Sequence, residues 1–149
     1  MHPRKVLLPF DGSPEARRAL EHVASTERGR RGSHVHVLNV QGPTIDDGVY
    51  LEPLLREGEQ LLLHASRHLE AMAISHTSEI AVGYPAETIV LRARDERCTA
   101  IVMGMRSTIA RIFTGSVSRR VVRDADVPVT LVKATGEAIV TIPILAQPG

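Results

Sequence analysis

Hydrophobic positions along the chain follow two alternating spacings. Short runs rich in β-branched residues, typical of buried strands, are separated by stretches in which apolar residues recur every three or four positions, typical of amphipathic helices. The strand-like runs are Lys5–Phe10, His34–Val40, His76–Gly83, Cys98–Gly104 and Val127–Lys133. The helix-like stretches begin at Pro14, near Leu54, at Pro85 and at Ser116. The pattern therefore predicts strands and helices in strict alternation.

Strands that alternate with helices predict βαβ crossovers, which join parallel strands and place helices on both faces of one sheet. We therefore predict a single α/β domain over residues 1–149, built on an open five-stranded parallel sheet. A further apolar run, Ala138–Leu145, predicts an extra C-terminal strand, and Pro143 confines that strand to an edge. In such sheets a ligand binds outside the carboxyl ends of the strands, where the strand order reverses.

Composition narrows the functional classes. The net charge of +1, the aromatic content of 3% and the absence of Trp argue against a nucleic-acid-binding protein, which normally carries a basic excess and stacking side chains. No apolar run is long enough to span a bilayer, and Pro9 and Asp11 interrupt the first run too early for a signal peptide. Cys98, the single cysteine, is interpreted as a small buried side chain in a cytoplasmic protein.

Candidate binding residues follow from the strand ends. Asp11 follows the first strand and Gly104 ends the fourth, so a reversal of strand order between these two strands would place both residues at one crevice. Asp11 could then accept a hydrogen bond from a base or ribose, although Asp11-Gly12 is also an ordinary turn signal. Gly115 and Ser116 open the fourth helix, where free backbone N–H groups and the helix dipole favour an anion. A simple helix cap is the alternative role of Ser116.

Motifs typical of nucleotide-dependent enzymes are absent from the sequence. The chain contains neither G-x-G-x-x-G after the first strand nor G-x-x-x-x-G-K-[ST] anywhere. The histidine pairs His34/His36 and His64/His68 each share one side of their element, but no carboxylate or cysteine partner is evident in the sequence. We interpret all four as solvated surface residues rather than metal ligands. Neither a catalytic residue nor a metal site is predicted.

Several segments, taken in order, resemble the universal stress protein family. They are KVLLPFDGSPEARRAL at the start, HVLNV in the second strand, GYPAETIV after the third, and IVMGMRS with TGSVSRRVVRDADVPVTLVK in the C-terminal half. The resemblance covers about residues 4–133 and leaves residues 134–149 as a C-terminal extension. It implies a Rossmann-like fold of the adenine nucleotide alpha hydrolase type. It also implies a homodimer formed through the last core strand, used as an exposed edge.

The resemblance further implies which residues hold a nucleotide. They are Pro9, Asp11 and Val40 for adenine and ribose, Met103 and Gly104 beside the ribose and phosphates, Arg106 and Ser107 in the following loop, and Gly115, Ser116 and Val117 at the phosphates. The chain departs from the family pattern twice. Ser107 stands where the second glycine of the binding loop belongs, and seven residues, 108–114, precede Gly115 instead of nine. A glycine there would permit a positive φ or close approach to a phosphate, and a shorter loop must take a different path.

Three functions follow, ranked in this order. The first is a cytoplasmic, dimeric stress-response module that binds an adenine nucleotide, ATP or AMP, with Mg²⁺ as an accompanying ion. The second is a stress protein with a degenerate loop that does not bind ATP and works through protein–protein interaction. The third, a slow ATPase or an adenylyl-type transferase, is disfavoured because the sequence shows no general base, no metal-binding carboxylate set and no catalytic lysine.

Overall fold

The computed structural model describes residues 3–43, 51–106 and 116–143. Its strands are β1 (Arg4–Pro9), β2 (Ser33–Gln41), β3 (His76–Val82), β4 (Ala100–Gly104), β5 (Val129–Val132) and β6 (Ala138–Thr141). Its helices are α1 (Pro14–Glu27), α2 (Leu51–Ala71), α3 (Pro85–Asp95) and α4 (Ser116–Asp124). Each strand and helix that the hydrophobic pattern predicts is present among them.

One sheet holds these strands in the order β3-β2-β1-β4-β5-β6. The pairs β1–β2, β1–β4, β2–β3 and β4–β5 are parallel, and β6 runs antiparallel to β5. The order reverses between β1 and β4, which is the reversal that a crevice between Asp11 and Gly104 requires. The predicted α/β fold with an extra C-terminal edge strand is therefore confirmed.

The last core strand, β5, is not an exposed edge. It pairs along its outer side with β6, from Val129 opposite Thr141 to Val132 opposite Ala138. The chain reverses direction near Gly136, whose φ of 92° lies in the left-handed region that glycine adopts without strain. The expectation that β5 is an exposed edge is therefore wrong, because the C-terminal extension folds back and satisfies the backbone groups of β5 within the same chain.

The start of α1 is fixed by local sequence. The Ser13 Oγ accepts a hydrogen bond from the Ala16 N–H at 3.1 Å, and Pro14 occupies the first helical position. This cap satisfies one of the N–H groups that a helix start leaves unpaired. It also places the amino end of α1 directly after β1, at the carboxyl end of the sheet.

Within the described residues, no helix has the length and apolar character to cross a membrane.

Alternate side chains of the strands pack into two separate apolar layers. Leu8 of β1 and Phe10 directly after it join the layer formed with α1 and α2, whereas Leu7 joins Ile101 in the layer formed with α3 and α4. All four side chains are buried, and burial of one such side chain stabilises a fold by about 1.5–3 kcal/mol. The layers hold the sheet from both faces, and the carboxyl ends of its strands form a rim on which a site can be built.

The fourth strand begins later than the sequence predicts. Cys98, the predicted first residue, instead closes the C-terminal turn of α3, since its N–H donates to the Ala93 carbonyl at 2.8 Å. Arg97 before it has a φ of 53°, which ends the helix. Cys98 is buried, and this burial raises the pKa of its thiol to about 11. The thiol therefore stays protonated, which confirms its interpretation as a packing residue.

Candidate functional site

A cavity of about 360 Å³ opens at the carboxyl ends of β1 and β4, where the strand order reverses. Its volume lies within the range of small-molecule sites. Among the residues that line it are seven that the sequence predicts at the site: Pro9, Asp11, Val40, Met103, Gly104, Arg106 and Val117. Residues from the first strand to the last helix therefore meet at one crevice.

The remaining predicted residues concern the phosphate end. Ser107 and Gly115 lie outside the described residues. Ser116 begins α4, and Val117 in the first turn of this helix lines the cavity. The amino end of α4 consequently lies at the crevice, where its unpaired backbone N–H groups and the helix dipole favour an anion.

Asp11 has two carboxylate oxygens with different surroundings. Its Oδ1 accepts a hydrogen bond from the Ser13 N–H at 2.9 Å, which is the turn role suggested by the sequence. Its Oδ2 lies 3.4 Å from Nη2 of Arg106. The two side chains are 54% and 67% exposed, so this ion pair adds little to stability. Oδ2 is thus held weakly at the mouth of the crevice.

Gly104 allows β4 to end directly against the first turn of α1. A Cβ at this position would lie 2.6 Å from the backbone N of Ala16 and 2.6 Å from the backbone C of Glu15. Both neighbours are backbone atoms inside a capped helix, so they cannot move aside as a flexible side chain could. The glycine is needed for this close approach, which brings the amino end of α1 to the crevice beside that of α4.

The walls of the crevice are mainly apolar, with polar groups at its mouth. Leu38 and Met103 are buried at the sheet ends, and Ile89 of α3 closes the far side. Asp11 and Arg106 are exposed. An apolar slot with a few polar groups at its opening suits a ligand with a flat hydrophobic part and a charged part.

The contributions of α3 and of the start of α1 were not predicted from the sequence, whereas that of the start of α4 was. The additional lining residues are Phe10, Ser13, Ala16, Leu38, Pro85, Ile89 and Ser118. Helix α3 leaves the outer strand β3 and crosses the sheet to reach β4, so its first turn passes the ends of β1 and β2. A right-handed crossover predicts this path once the strand order is known. The signal that could have found Pro85 and Ile89 is therefore topological.

A second polar cluster lies on the α3 face of the sheet. His36 is 5% exposed, and its Nε2 is 2.8 Å from Oε1 of Glu79. The interpretation of His36 as a solvated residue is therefore wrong, because α3 covers this part of β2. His34 is half-buried beside it.

His64 of α2 is exposed, as interpreted, and stacks on Phe10 with ring centroids 6.0 Å apart.

A wider groove, of about 1050 Å³, lies between α3, the end of α4 and Ile142. Its charged side chains already form ion pairs, with Arg94 Nε 2.6 Å from Asp126 Oδ2 and Arg123 Nε 2.9 Å from Asp124 Oδ1. The groove also meets the carboxyl end of α4, where the helix dipole disfavours an anion. We therefore assign the candidate site to the smaller crevice.

Comparison with known proteins points to one family. The family model for the universal stress protein family matches residues 2–133. A relative from Thermus aquaticus, named as the universal stress protein in the QAH/OAS sulfhydrylase 3′ region, is 34% identical over 139 residues. That match covers 87% of this chain and 98% of the relative.

Solved structures share the fold. The MJ0577 protein of Methanocaldococcus jannaschii matches with a TM-score of 0.79 and 28% identity, over 89% of this chain and 97% of that protein. The universal stress protein from Archaeoglobus fulgidus, solved in complex with dAMP, matches with a TM-score of 0.70 and 25% identity, over 87% of this chain and 97% of that one. The order of strands and helices described above is thus shared over nearly the whole length of both structures.

Proposed function

Because the chain belongs to the universal stress protein family, we propose that its crevice binds an adenine nucleotide, ATP or AMP. The observation that carries this proposal is the convergence of seven predicted nucleotide-contacting residues on one cavity at the strand-order reversal. The complex of the Archaeoglobus fulgidus relative with dAMP supports the same class of ligand. In this proposal the protein is a cytoplasmic stress-response module that binds a nucleotide without converting it.

A binding role fits the side chains at the crevice better than a catalytic role. The lining that the structure describes supplies one carboxylate, Asp11, one arginine, Arg106, and neither a lysine nor a histidine. A slow ATPase or a transferase would need a general base and groups that stabilise developing charge. The described part of the crevice therefore supports the non-enzymatic reading.

Each part of the nucleotide would meet a different part of the crevice. The apolar wall that includes Val40 and Met103 would pack against adenine, and Asp11 Oδ2 would accept a hydrogen bond from a ribose hydroxyl. The first turn of α4 would attract the phosphates through its backbone N–H groups and the helix dipole. Arg106 would exchange its 3.4 Å contact with Asp11 for a phosphate. Mg²⁺ would accompany the phosphates of ATP.

The alternative function is a module that does not bind ATP and acts through protein–protein interaction. Ser107 and the seven-residue segment that follows it favour this alternative, because both depart from the family's binding loop. Calorimetric titration with ATP and AMP, each with and without Mg²⁺, separates the two functions, with GTP and GMP as controls. Saturable binding of ATP or AMP to a single site supports the proposal. Absence of heat from both at about millimolar concentration would leave the interaction module as the function.

Asp11→Asn is expected to weaken nucleotide binding about 10- to 150-fold, since a hydrogen bond to a charged acceptor contributes roughly 1.5–3 kcal/mol. Asparagine keeps an oxygen for the 2.9 Å bond from the Ser13 N–H, so the turn should be preserved. The measurement is calorimetric affinity. Asp126→Asn makes the same charge change at the remote ion pair with Arg94 and should leave the affinity unchanged. An Asp11→Asn variant that binds as tightly as the wild type would remove Asp11 from the ribose.

We place the proposed homodimer contact on β6, since β6 covers the outer side of β5. The Lys133 N–H donates to the Glu137 carbonyl at 2.8 Å, which sets the alternation of the antiparallel ladder. By that alternation the backbone groups of Ala138 and Val140 point away from β5, toward the free edge. Val140 is 62% exposed and Ile142 is 54% exposed. A second copy could therefore add its own β6 across a two-fold axis.

Val140→Pro is expected to convert the dimer into a monomer. Proline removes the outward N–H on which edge pairing depends and leaves the bonds between β5 and β6 intact. Analytical ultracentrifugation measures the assembly state. Val140→Ala, which keeps the N–H, should remain dimeric. A wild-type protein that sediments as a monomer would overturn the homodimer, and a dimeric Val140→Pro variant would overturn the β6 contact.

A further inference from the structure

Polar side chains of β2, β3 and the residue before β3 form one continuous hydrogen-bonded chain, and none of them is among the residues that line the crevice. His34 Nδ1 lies 2.8 Å from Ser75 Oγ, and His34 Nε2 lies 3.0 Å from Thr77 Oγ1. Thr77 Oγ1 is also 2.6 Å from His36 Nδ1, and His36 Nε2 is 2.8 Å from Glu79 Oε1. Ser75 and Thr77 are exposed, whereas His36 is buried. The chain thus leads from the surface to a buried imidazole.

Glu79 sets the direction of the chain at its inner end. Its Oε1 also accepts a hydrogen bond from Nε of Arg92 at 2.7 Å. Burial raises the pKa of Glu79, but the hydrogen bonds from Arg92 and His36 outweigh burial and hold this pKa below its ordinary value. Glu79 is therefore a carboxylate, which accepts hydrogen bonds and donates none. The Nε2 of His36 must consequently carry a hydrogen.

This direction propagates through the remaining bonds. A neutral His36 with a hydrogen on Nε2 has a bare Nδ1, which accepts from the Thr77 hydroxyl. The single hydrogen of Thr77 is then used, so Nε2 of His34 must donate to Thr77 Oγ1. The bare Nδ1 of a neutral His34 accepts from the Ser75 hydroxyl. All the bonds of the chain then run one way, from Ser75 to Glu79.

One added proton can reverse the three hydrogen bonds between Ser75 and His36 without breaking the chain, while the bond from His36 to Glu79 keeps its direction. A proton that binds Nδ1 of His34 releases the Nε2 hydrogen to Thr77 Oγ1, and Thr77 passes its own hydrogen to Nδ1 of His36. Each N–H or O–H bond that breaks is replaced by one on the next atom. His34 ends as the neutral tautomer with its hydrogen on Nδ1, and His36 ends as an imidazolium that donates to Thr77 and Glu79. The charge has moved from a half-buried ring to a buried one.

The two histidine rings differ in the charged groups that they contact. Among the residues that the structure describes, the charged and titratable groups around the two histidines are Lys5 of β1, His76 and Glu79 of β3, Arg92 and Asp95 of α3, and Glu96 directly after α3. Burial, followed by the charges of Lys5, His36 and His76, lowers the pKa of His34. His36 instead touches the Glu79 carboxylate. If His34 also became an imidazolium while His36 carried the first proton, two cationic rings would share the Thr77 hydroxyl beside Lys5.

We propose that Ser75, His34, Thr77, His36 and Glu79 form a proton-relay site that takes up one proton and stores it on His36. The relay does not depend on a nucleotide. Glu79 also holds Arg92 of α3, so the stored charge lies at the contact that joins α3 to the sheet. Uptake of a proton by the relay therefore adds a positive charge at this contact, beside Arg92.

The charge balance of the cluster favours a proton over a metal ion. His36, Glu79 and Glu96 bring three potential ligand atoms within 4.8 Å of one another. Arg92 contacts both carboxylates, at 2.7 and 2.8 Å, and Lys5 Nζ lies 2.9 Å from Glu96. Two carboxylates and two cations already neutralise each other. A divalent cation would have to displace both cations, whereas a proton needs to displace neither.

The test is a pH titration of the ¹⁵N resonances of the histidine rings, from about pH 8 to about pH 5, in nucleotide-free protein with a chelator present. We expect His34 and His36 to carry hydrogen on Nε2 at the start. On acidification His36 should gain a second N–H while His34 loses its Nε2 hydrogen and gains one on Nδ1, with a shared midpoint. Separate midpoints, or a His34 that becomes an imidazolium first, would overturn the relay.

The matched variants are Thr77→Val, which removes the linking hydroxyl from an exposed position at nearly constant shape, and Thr77→Ser, which keeps it. In Thr77→Val the tautomer switch of His34 should be lost while His36 still titrates. In Thr77→Ser the switch should return. A His34 switch that persists in Thr77→Val would show that the two rings are not linked through this hydroxyl. Because no arm contains nucleotide, failure of the relay and failure of the nucleotide proposal are separately visible.

Discussion

Phe10→Ala is expected to lower the free energy of unfolding by about 3–5 kcal/mol, the range typical for removal of a buried aromatic ring. Phe10 is 2% exposed and lies directly after β1. Its N–H donates to the Leu38 carbonyl at 2.8 Å, and its ring stacks on His64 with an angle of 11° between the ring planes. Alanine would keep the backbone bond but leave a cavity between the sheet and α2. Urea unfolding followed by circular dichroism measures the loss.

Two further variants serve as references for the stability loss of Phe10→Ala. Phe10→Leu keeps most of the volume and should cost less than Phe10→Ala, because part of the cavity is filled. Leu63→Ala removes an apolar side chain that is 49% exposed on α2 and should change stability by less than about 1 kcal/mol. A loss at Phe10 no larger than the loss at Leu63 would contradict the placement of this ring in the core.

The helix starts and the strand periods could be predicted because they depend on neighbouring residues. Ser13-Pro14 caps α1 through a bond to Ala16, three residues away, so the sequence contains both partners. Pro85 opens α3 for a similarly local reason. The position of the crevice could also be predicted from this local pattern, because strands that alternate with helices direct their carboxyl ends to one rim.

The buried polar residues could not be predicted, since their partners come from distant parts of the chain. Glu27 is 2% exposed at the end of α1, where a carboxylate opposes the helix dipole. Its Oε1 accepts hydrogen bonds from Nε of Arg4 and from Oγ of Ser33, each at 2.7 Å. His36 likewise depends on Glu79 and on the cover of α3. The period of a strand or helix shows which face a residue occupies, but not what covers that face.

The site was predictable at its strand ends and at the start of α4. Asp11 and Gly104 could be assigned because each follows directly from a strand boundary, and the strand order then brought them together. The contact of β4 with α1 and the contribution of Ile89 needed the three-dimensional path of the helices. Pairing of β6 with β5 was open for the same reason, since an edge strand can pair within its own chain or with another.

Gly104→Ala is expected both to lower the free energy of unfolding by about 1–3 kcal/mol and to abolish adenine-nucleotide binding. The added methyl group would meet the backbone of Ala16 and Glu15 at 2.6 Å, so β4 and the start of α1 would have to separate. That displacement would move Asp11 and the amino end of α1 away from the crevice. Urea unfolding measures the first effect and calorimetry with ATP and AMP measures the second.

Gly42→Ala is the matched control, because a Cβ at Gly42 meets no atom of the described residues within 4 Å and its φ is not in the left-handed region. It should change stability by less than about 0.5 kcal/mol and leave the affinity unchanged. A Gly104→Ala variant as stable as the wild type would show that α1 does not pack against the end of β4. A destabilised variant that still binds the nucleotide normally would separate the two effects, and the nucleotide site would then have to lie away from the junction of β1 and β4.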